Sequence, residues 1–279
     1  MCLLALIYKT IPKYPVIVAA NRDESYDRQG SVPRVWDSPS PFAAPKDNRA
    51  GGTWIGCNAF ETVVALTNRH GSSTGAARRS RGLLAAQLLA ATFPADIREL
   101  LDESVQEYDY NDFNLICAGP GEAFSASYDK GTLRVNPLDR GIHVVANGDI
   151  DDAQSPRVSR AMKLIEKLAA ECTAETAQPS DEQAKTSKKA KKPADPFGTL
   201  IDGLKTVCAD HEAEGGKDQA LCVHGEKAGT LSSTILAIGA DPAASLYLHS
   251  QGSPCAVPYS DYSSLLTSVF IRTRRRAGK

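Results

Sequence analysis

The sequence predicts an α+β protein built of packed layers, and three observations carry that expectation. Apolar runs arrive as hairpins, then helices, strands, helices and strands again, without the regular alternation of a doubly wound sheet. Several strands are almost continuously apolar, the pattern of sheets covered on both faces. With 279 residues, 42% hydrophobic and 23% charged, the chain can fill the core of a single domain, 1–279.

The elements follow in order. LLALIYK (3–9), YPVIVAA (14–20), TWIGCN (53–58) and TVVALTN (62–68) read as strands, cut by Gly, Pro, Asn or Asp. SRGLLAAQLLAATF (80–93) and PADIRELLDESVQEY (94–108) read as adjacent helices; Ile97, Leu101 and Val105 recur every fourth residue in the second. FNLICAG (113–119), FSASYD (124–129) and HVVAN (143–147) return to strand. SPRVSRAMKLIEKLAAEC (155–172) is the clearest helix. Ser155 can cap it, Pro156 suits its first turn, and Val158, Met162, Ile165 and Ala169 share one face. STILAIG (233–239) and SLYLHS (245–250) are late strands. Residues 173–197 carry almost no large apolar side chain until their end and are expected to form a flexible, Lys-rich insertion between helices. KKAKK and the basic tail 271–279 read as solvated charge in preference to a nucleic-acid patch.

Composition excludes some function classes. The net charge of -1 provides no global field for nucleic acid or an acidic membrane. LLALI is too short for a signal-peptide core, and no apolar run is long enough to span a membrane. A reducing, cytoplasmic setting is the expectation, with free thiols. The seven cysteines stand at 2, 57, 117, 172, 208, 222 and 255, with no C-x-x-C pair. Neither they nor His70, His143, His211, His224 and His249 show metal-site spacing, so no metal is expected.

The chemistry gathers at the start of the chain. The short TIPKYP loop favours an antiparallel hairpin. If Tyr8 lies opposite Pro15 or Val16, Cys2 faces Asn21 or Arg22, and the polar run Asn21-Arg22-Asp23-Glu24 arrives beside it. Arginine favours a thiolate. An α-amine, with a pKa near ~8, can serve as a base close to neutral pH. Were Met1 removed, nucleophile and base would share residue 2, and Asp23 could orient the amine. A small buried hydrophobe beside a salt-bridged turn explains the same residues, and physics alone leaves both readings open. Asn68 ends TVVALTN and Asn147 ends HVVAN; a side-chain amide there can donate to an oxyanion or cap a turn.

Met1-Cys2, AANRDE (19–24), GGTWIG (51–56), ALTN (65–68), SRG (80–82), FNLI (113–116) and GT-x-S-S-T-I-L (229–236) together resemble the NRDE family, the transport and Golgi organisation protein 2 group. The resemblance covers most of the chain except 173–197 and the tail. That family is in turn similar to the cysteine N-terminal nucleophile hydrolases, such as penicillin V acylase and bile salt hydrolase. The resemblance implies an αββα four-layer sandwich and cleavage of a non-peptide linear amide without a cofactor. Carried over by motif, Cys2 is the nucleophile, Arg22 and Asp23 support it, Asn68 matches the oxyanion asparagine, and Asn147 a second asparagine of the site. Asn21, His70 and Arg81 are candidate substrate contacts. Where the family often reads GTR, this chain reads Gly229-Thr230-Leu231, so a late cation is missing there or supplied by Lys227. Implication of family members in haem trafficking and lipid metabolism carries the alternative of a haem or acyl-lipid binding protein, for which no spacing selects an axial ligand.

Two rivals are weaker. GSSTG (71–75) fits G-x-S-x-G, but RRSR separates it from the helix that a nucleophile elbow would enter at once, so Ser73 reads as a loop residue. Arg78, Arg79 and Arg81 could bind a carboxylate or phosphate, although a solvated basic turn explains them more simply.

Overall fold

The first hairpin sets the frame. In the computed structural model the described residues are 2–38, 40–69, 78–91, 95–177, 195–211 and 219–277, with side chains described except at 175–177 and 272–277. Strands β1 (Leu3–Ile11) and β2 (Tyr14–Ser25) pair antiparallel from Leu3↔Asn21 to Tyr8↔Val16, so the Val16 register obtains. One step beyond that register, Cys2 comes to Arg22.

Two antiparallel sheets follow. One has six strands in the order β10-β1-β2-β11-β12-β13, using β10 (Gly141–Val145), β11 (Ala228–Ile238), β12 (Leu246–Ser250) and β13 (Ser260–Asp261). The other has seven strands in chain order: β3 (Gly30–Trp36), β4 (Phe42–Asp47), β5 (Ile55–Asn58), β6 (Val63–Asn68), β7 (Phe113–Ala118), β8 (Ala123–Asp129) and β9 (Thr132–Pro137). The expected hairpin of TWIGCN and TVVALTN is β5–β6, paired from Ile55↔Ala65 to Cys57↔Val63.

Three cores separate four layers. Leu3, Ala5, Ile7 and Ile17 pack on α3 (Pro156–Ala177) and α4 (Pro196–Ala209), meeting Val158, Ile165, Leu200 and Leu204. Leu4, Leu6, Val16 and Val18, from the opposite face of the same hairpin, meet Ile55, Val63 and Ile116 of the second sheet. The outer face of that sheet buries Val64, Leu115 and Phe124 against Leu84 and Leu88 of α1 (Arg81–Leu89) and Ile97 and Leu101 of α2 (Asp96–Glu107). Strand alternation therefore explains the near-continuous apolar runs: odd residues of β1 feed one core and even residues the next. The expected αββα sandwich is the fold observed.

The differences have local causes. Strands β3, β4 and β9 carry no apolar run: β4 is broken by Pro45 and Lys46, and β9 alternates between exposed and half-buried residues. Helix α3 runs to Ala177 and α4 starts at Pro196, capped by Asp195, whose carboxylate accepts the Gly198 N–H at 3.0 Å. Of the Lys-rich insertion, 178–194 lies outside the described residues. Helix α5 (Ser263–Ala277) carries helical backbone into the basic stretch. Among the described residues no helix is long and apolar enough to cross a membrane.

Candidate active site

Parity along β2 sorts the NRDE residues onto two faces. Arg22 and Glu24 join Cys2 on a cleft of about 170 Å³ at the end of the inter-sheet space. Asn21 and Asp23 face the α3–α4 layer.

The Cys2 thiol is half-buried, its Sγ 3.8 Å from the carbonyl oxygen of Asp23. Burial pushes this thiol up; the Asp23 charge adds to the rise and Arg22 opposes it. The group is therefore a thiol near neutral pH and needs a base before it can attack.

Arg22 is 6% exposed and locked on several sides. Both terminal nitrogens donate to the Arg28 carbonyl at 3.0 Å, and the guanidinium lies 4.4 Å from the Trp54 ring centroid. Asp47 approaches it at 3.8 Å and also takes Arg28 at 2.8 Å, while Arg28 reaches Glu24 at 3.1 Å. Burial pulls the Arg22 pKa down, and Asp47 acts against that pull. Fixed this way, Arg22 presents its charge without paying to be ordered when a ligand arrives.

The opposite wall depends on a glycine contact. Thr53 donates its backbone N–H to the Gly82 carbonyl at 2.9 Å, and a Cβ on Gly52 would overlap the Gly82 backbone. Only with glycine there can the GGTW segment touch the start of α1. That contact sets Ser80 and Arg81 over the cleft. Ser80 caps α1, accepting the Gly82 N–H at 3.2 Å, and Arg81 donates to the Asp112 carbonyl at 2.8 Å. Burial lowers the Arg81 pKa and a Cys2 thiolate would raise it, so the two groups lie within electrostatic reach. Arg78 and Arg79, expected as a solvated turn, also line the cleft: Arg78 bonds Asn111 at 3.0 Å, and Arg79 bonds Tyr110 at 3.0 Å.

The asparagines divide their roles. Asn68, at the end of β6, lines the cleft. Asn147 stands behind it, its Nδ2 donating to the Asn68 carbonyl at 2.7 Å. The adjacent Thr67 hydroxyl reaches the Ala146 carbonyl at 2.7 Å, so the two sheets are clamped beside the thiol. Asn21 spends its Nδ2 on the carbonyls of Cys208 and Leu221, at 2.8 and 2.9 Å, and does not line the cleft as a substrate contact would. The Asp23 carboxylate, 3% exposed, takes Arg157 at 2.7 Å and the Thr230 hydroxyl at 2.6 Å. Burial raises its pKa, and Arg157 opposes that rise. His70 and Ser73 lie outside the described residues.

Leu231 occupies a bulge. Thr230 pairs with Asp23 and Ser232 with Arg22, leaving Leu231 between the pairs, half-buried. Lys227 precedes the strand and is exposed. The positive charge of the cleft comes from Arg22, Arg28, Arg78, Arg79 and Arg81, set against Glu24 and Asp47. Sequence reasoning missed Arg28, Asp47, Trp54, Arg157 and Thr230 as parts of this site. Trp54 and Thr230 stand inside the GGTWIG and GT-x-S-S-T-I-L motifs; Arg28, Asp47 and Arg157 carry no such signal.

Two facing antiparallel sheets between helical layers are the fold of the N-terminal nucleophile acylases. Penicillin V acylase from Agrobacterium tumefaciens shares it with a TM-score of 0.52 at 12% identity, the match covering 95% of this chain and 88% of that chain. A Caenorhabditis elegans N-acylethanolamine-hydrolyzing acid amidase ortholog matches at 15% identity over 84% of this chain and 92% of its own, with a TM-score of 0.49. Residues 1–247 match the family model for Transport and Golgi organisation 2, and the chain belongs to that family. The transport and Golgi organization protein 2 homologs of Bos taurus and Homo sapiens are 33% and 30% identical over 125 residues, 42% of this chain and 45% of each relative. The matches thus span about half the length of these curated relatives.

Proposed function

We propose that the protein is a cysteine amidohydrolase that cleaves a non-peptide linear amide through a thioester on Cys2. The observation that supports this most is the placement of Cys2 in one cleft with Arg22, Arg81 and Asn68. Removal of Met1 would free the Cys2 α-amine as the base. The amine takes the thiol proton, and sulfur attacks the amide carbonyl carbon. The resulting oxyanion is held by the Asn68 side chain and a backbone N–H. The protonated amine then gives its proton to the leaving nitrogen as the C–N bond breaks. Water, deprotonated by the same amine, attacks the thioester; the acid leaves and the thiol is restored. Five cleft arginines against two carboxylates favour a substrate that carries its own anionic group.

Intact mass spectrometry of the purified protein, alone and after incubation with a panel of anionic N-acyl amides, tests this. The expected result is loss of Met1 and an acyl adduct that maps to Cys2. Retained Met1, or amide cleavage that survives Cys2→Ala, sinks the mechanism. Haem or acyl-lipid binding that ignores Cys2→Ala, with no amide cleaved, would favour a carrier on the same scaffold.

A further inference from the structure

A second cysteine cluster lies outside the cleft. Cys222 and His224 belong to the segment before β11, Cys255 to the loop after β12, and His211 follows α4. The Cys222 and Cys255 sulfurs are 3.7 Å apart. His224 Nε2 is 3.6 Å from the Cys222 sulfur and 3.2 Å from the Cys255 sulfur. Ligand atoms of His211, His224 and Cys255 all lie within 4.8 Å of one another, and the two imidazole rings are 5.6 Å apart.

These distances match a coordination polyhedron. Zn–S bonds of about 2.3 Å and Zn–N bonds of about 2.0–2.1 Å at tetrahedral angles give edges of about 3.8 Å for S–S and about 3.6 Å for S–N. Two of the measured edges, the 3.7 Å S–S and the 3.6 Å S–N, fall at those values, and the 3.2 Å S–N edge is shorter by about 0.4 Å. His211 is exposed and already offers a ligand atom within 4.8 Å of those of His224 and Cys255, which makes it the candidate for the fourth corner.

The backbone holds the ligands in place without the ion. The N–H groups of Leu221 and Cys222 donate to the Asp210 carbonyl at 2.9 and 2.8 Å, tying that segment to the end of α4 beside His211. Arg160 clamps the Asp210 carboxylate at 2.6 Å. On the other side the Ser253 hydroxyl donates to the Thr230 carbonyl at 2.8 Å, and the Ser253 carbonyl accepts the N–H groups of Ala256 and Val257 at 2.9 Å, fixing the turn that carries Cys255. Sequence spacing predicted no metal because the four residues scatter from 211 to 255 with no paired motif; the fold collects them.

We propose that Cys222, Cys255, His224 and His211 form a closed tetrahedral site for Zn²⁺. Two thiolates would balance the ion's charge, and binding would release the two thiol protons. With four protein ligands no position stays open for water, so the site is structural in kind. It would brace Val223, which exchanges hydrogen bonds with Thr230: the Val223 N–H meets the Thr230 hydroxyl at 2.8 Å, and the Thr230 N–H meets the Val223 carbonyl at 2.8 Å.

The full chain, reduced and stripped of metal, is titrated with Zn²⁺ against a chromophoric chelator and weighed by native mass spectrometry. One Zn²⁺ per chain is expected, and Co²⁺ should give the absorption of a tetrahedral thiolate site. Cys255→Ser and His224→Ala should each weaken binding by at least about 100-fold. Both positions are exposed, so far-ultraviolet circular dichroism should be unchanged. Cys2→Ala should bind as the wild type does. The proposal is overturned if the reduced wild type takes up no zinc, if uptake survives Cys255→Ser, or if Cys2→Ala abolishes it. It is equally overturned if Cys222 and Cys255 are found as a disulfide whose reduction creates no zinc site.

Discussion

Two corners of the molecule gather cysteines, and they meet opposite faces of one strand pair. On the inter-sheet face of β2, Cys2 and Arg22 open onto a cleft whose arginines exceed its carboxylates. On the other face, Asn21 and Asp23 close onto Arg157, Thr230 and the Leu221–His224 segment. The first face leaves charge available to an incoming molecule. The second pairs its charge internally. A catalytic corner needs freedom at the reacting atom and rigidity behind it, and β2 supplies both by alternation alone.

The largest expected effect tests the open face. Cys2→Ala should lower amide cleavage by at least about 10³-fold, since Cys2 carries the one thiol among the described residues that line the cleft. Stability should change by less than about 1 kcal/mol, because the thiol is half-buried and its sulfur contact is long. Turnover and urea unfolding, measured on one preparation, separate the two. A large loss of stability would make Cys2 core filler.

The two corners differ as sharply in how far they can be read from sequence. The open corner comes from consecutive motifs whose strand parity follows from a short loop, so Cys2, Arg22 and Asn68 were legible together. The same arithmetic set Asn21 beside Cys2 because a one-residue register error exchanges faces. The observed Val16 pairing removes that ambiguity and sends Asn21 to the helices. The closed corner was not legible. Arg157 sits one residue into a helix whose apolar stripe masks it, and Thr230 meets Asp23 only through the β2–β11 pairing, which spans most of the chain. Arg28 and Asp47 were hidden for another reason: β3 and β4 lack an apolar run, so nothing announced the hairpin that brings them in.

Breaking the closed face should cost stability first. Arg157→Met leaves the Asp23 carboxylate buried without its ion pair, a loss of about 3–5 kcal/mol. Chemical denaturation checks this. Asp23→Asn combined with Arg157→Met should recover part of the loss, because the uncompensated charge is then gone. If the double variant is no better than the single, the charge is not the cause.

A pH scan probes the inter-sheet face further. His249 is 1% exposed and hydrogen-bonded to the Thr234 hydroxyl at 2.9 Å and the Gln251 side-chain oxygen at 3.0 Å. Burial lowers its pKa from 6.5 to about 4. The unfolded chain therefore binds this proton first as pH falls, and the His249 contribution, about 3 kcal/mol, is lost between those two values. His143 does not offset the loss. Its pKa is raised by the hydrogen bond to Asp151, so its contribution is complete below 6.5 and changes only at higher pH. His249→Gln should flatten the acid side of the curve relative to wild type, measured by thermal unfolding from neutral pH to pH near ~4.

The smallest expected effect joins the two faces. The Thr230 hydroxyl donates to Asp23 and accepts from Val223, so Thr230→Val keeps the shape and deletes both bonds. The stability cost should be about 2 kcal/mol, a charge-assisted bond lost with a backbone N–H left unpaired. The informative readout is the split between the corners. Asp23 also offers its backbone carbonyl to the Cys2 thiol, so a shift of that residue moves the nucleophile. Thr230→Val should lower the rate of Cys2 acylation by a small factor at unchanged substrate affinity. Thr230→Ser, which restores both hydrogen bonds, should recover it. Equal acylation rates in all three proteins would mean that β2 insulates its faces, and that the closed corner holds the fold without setting the thiol.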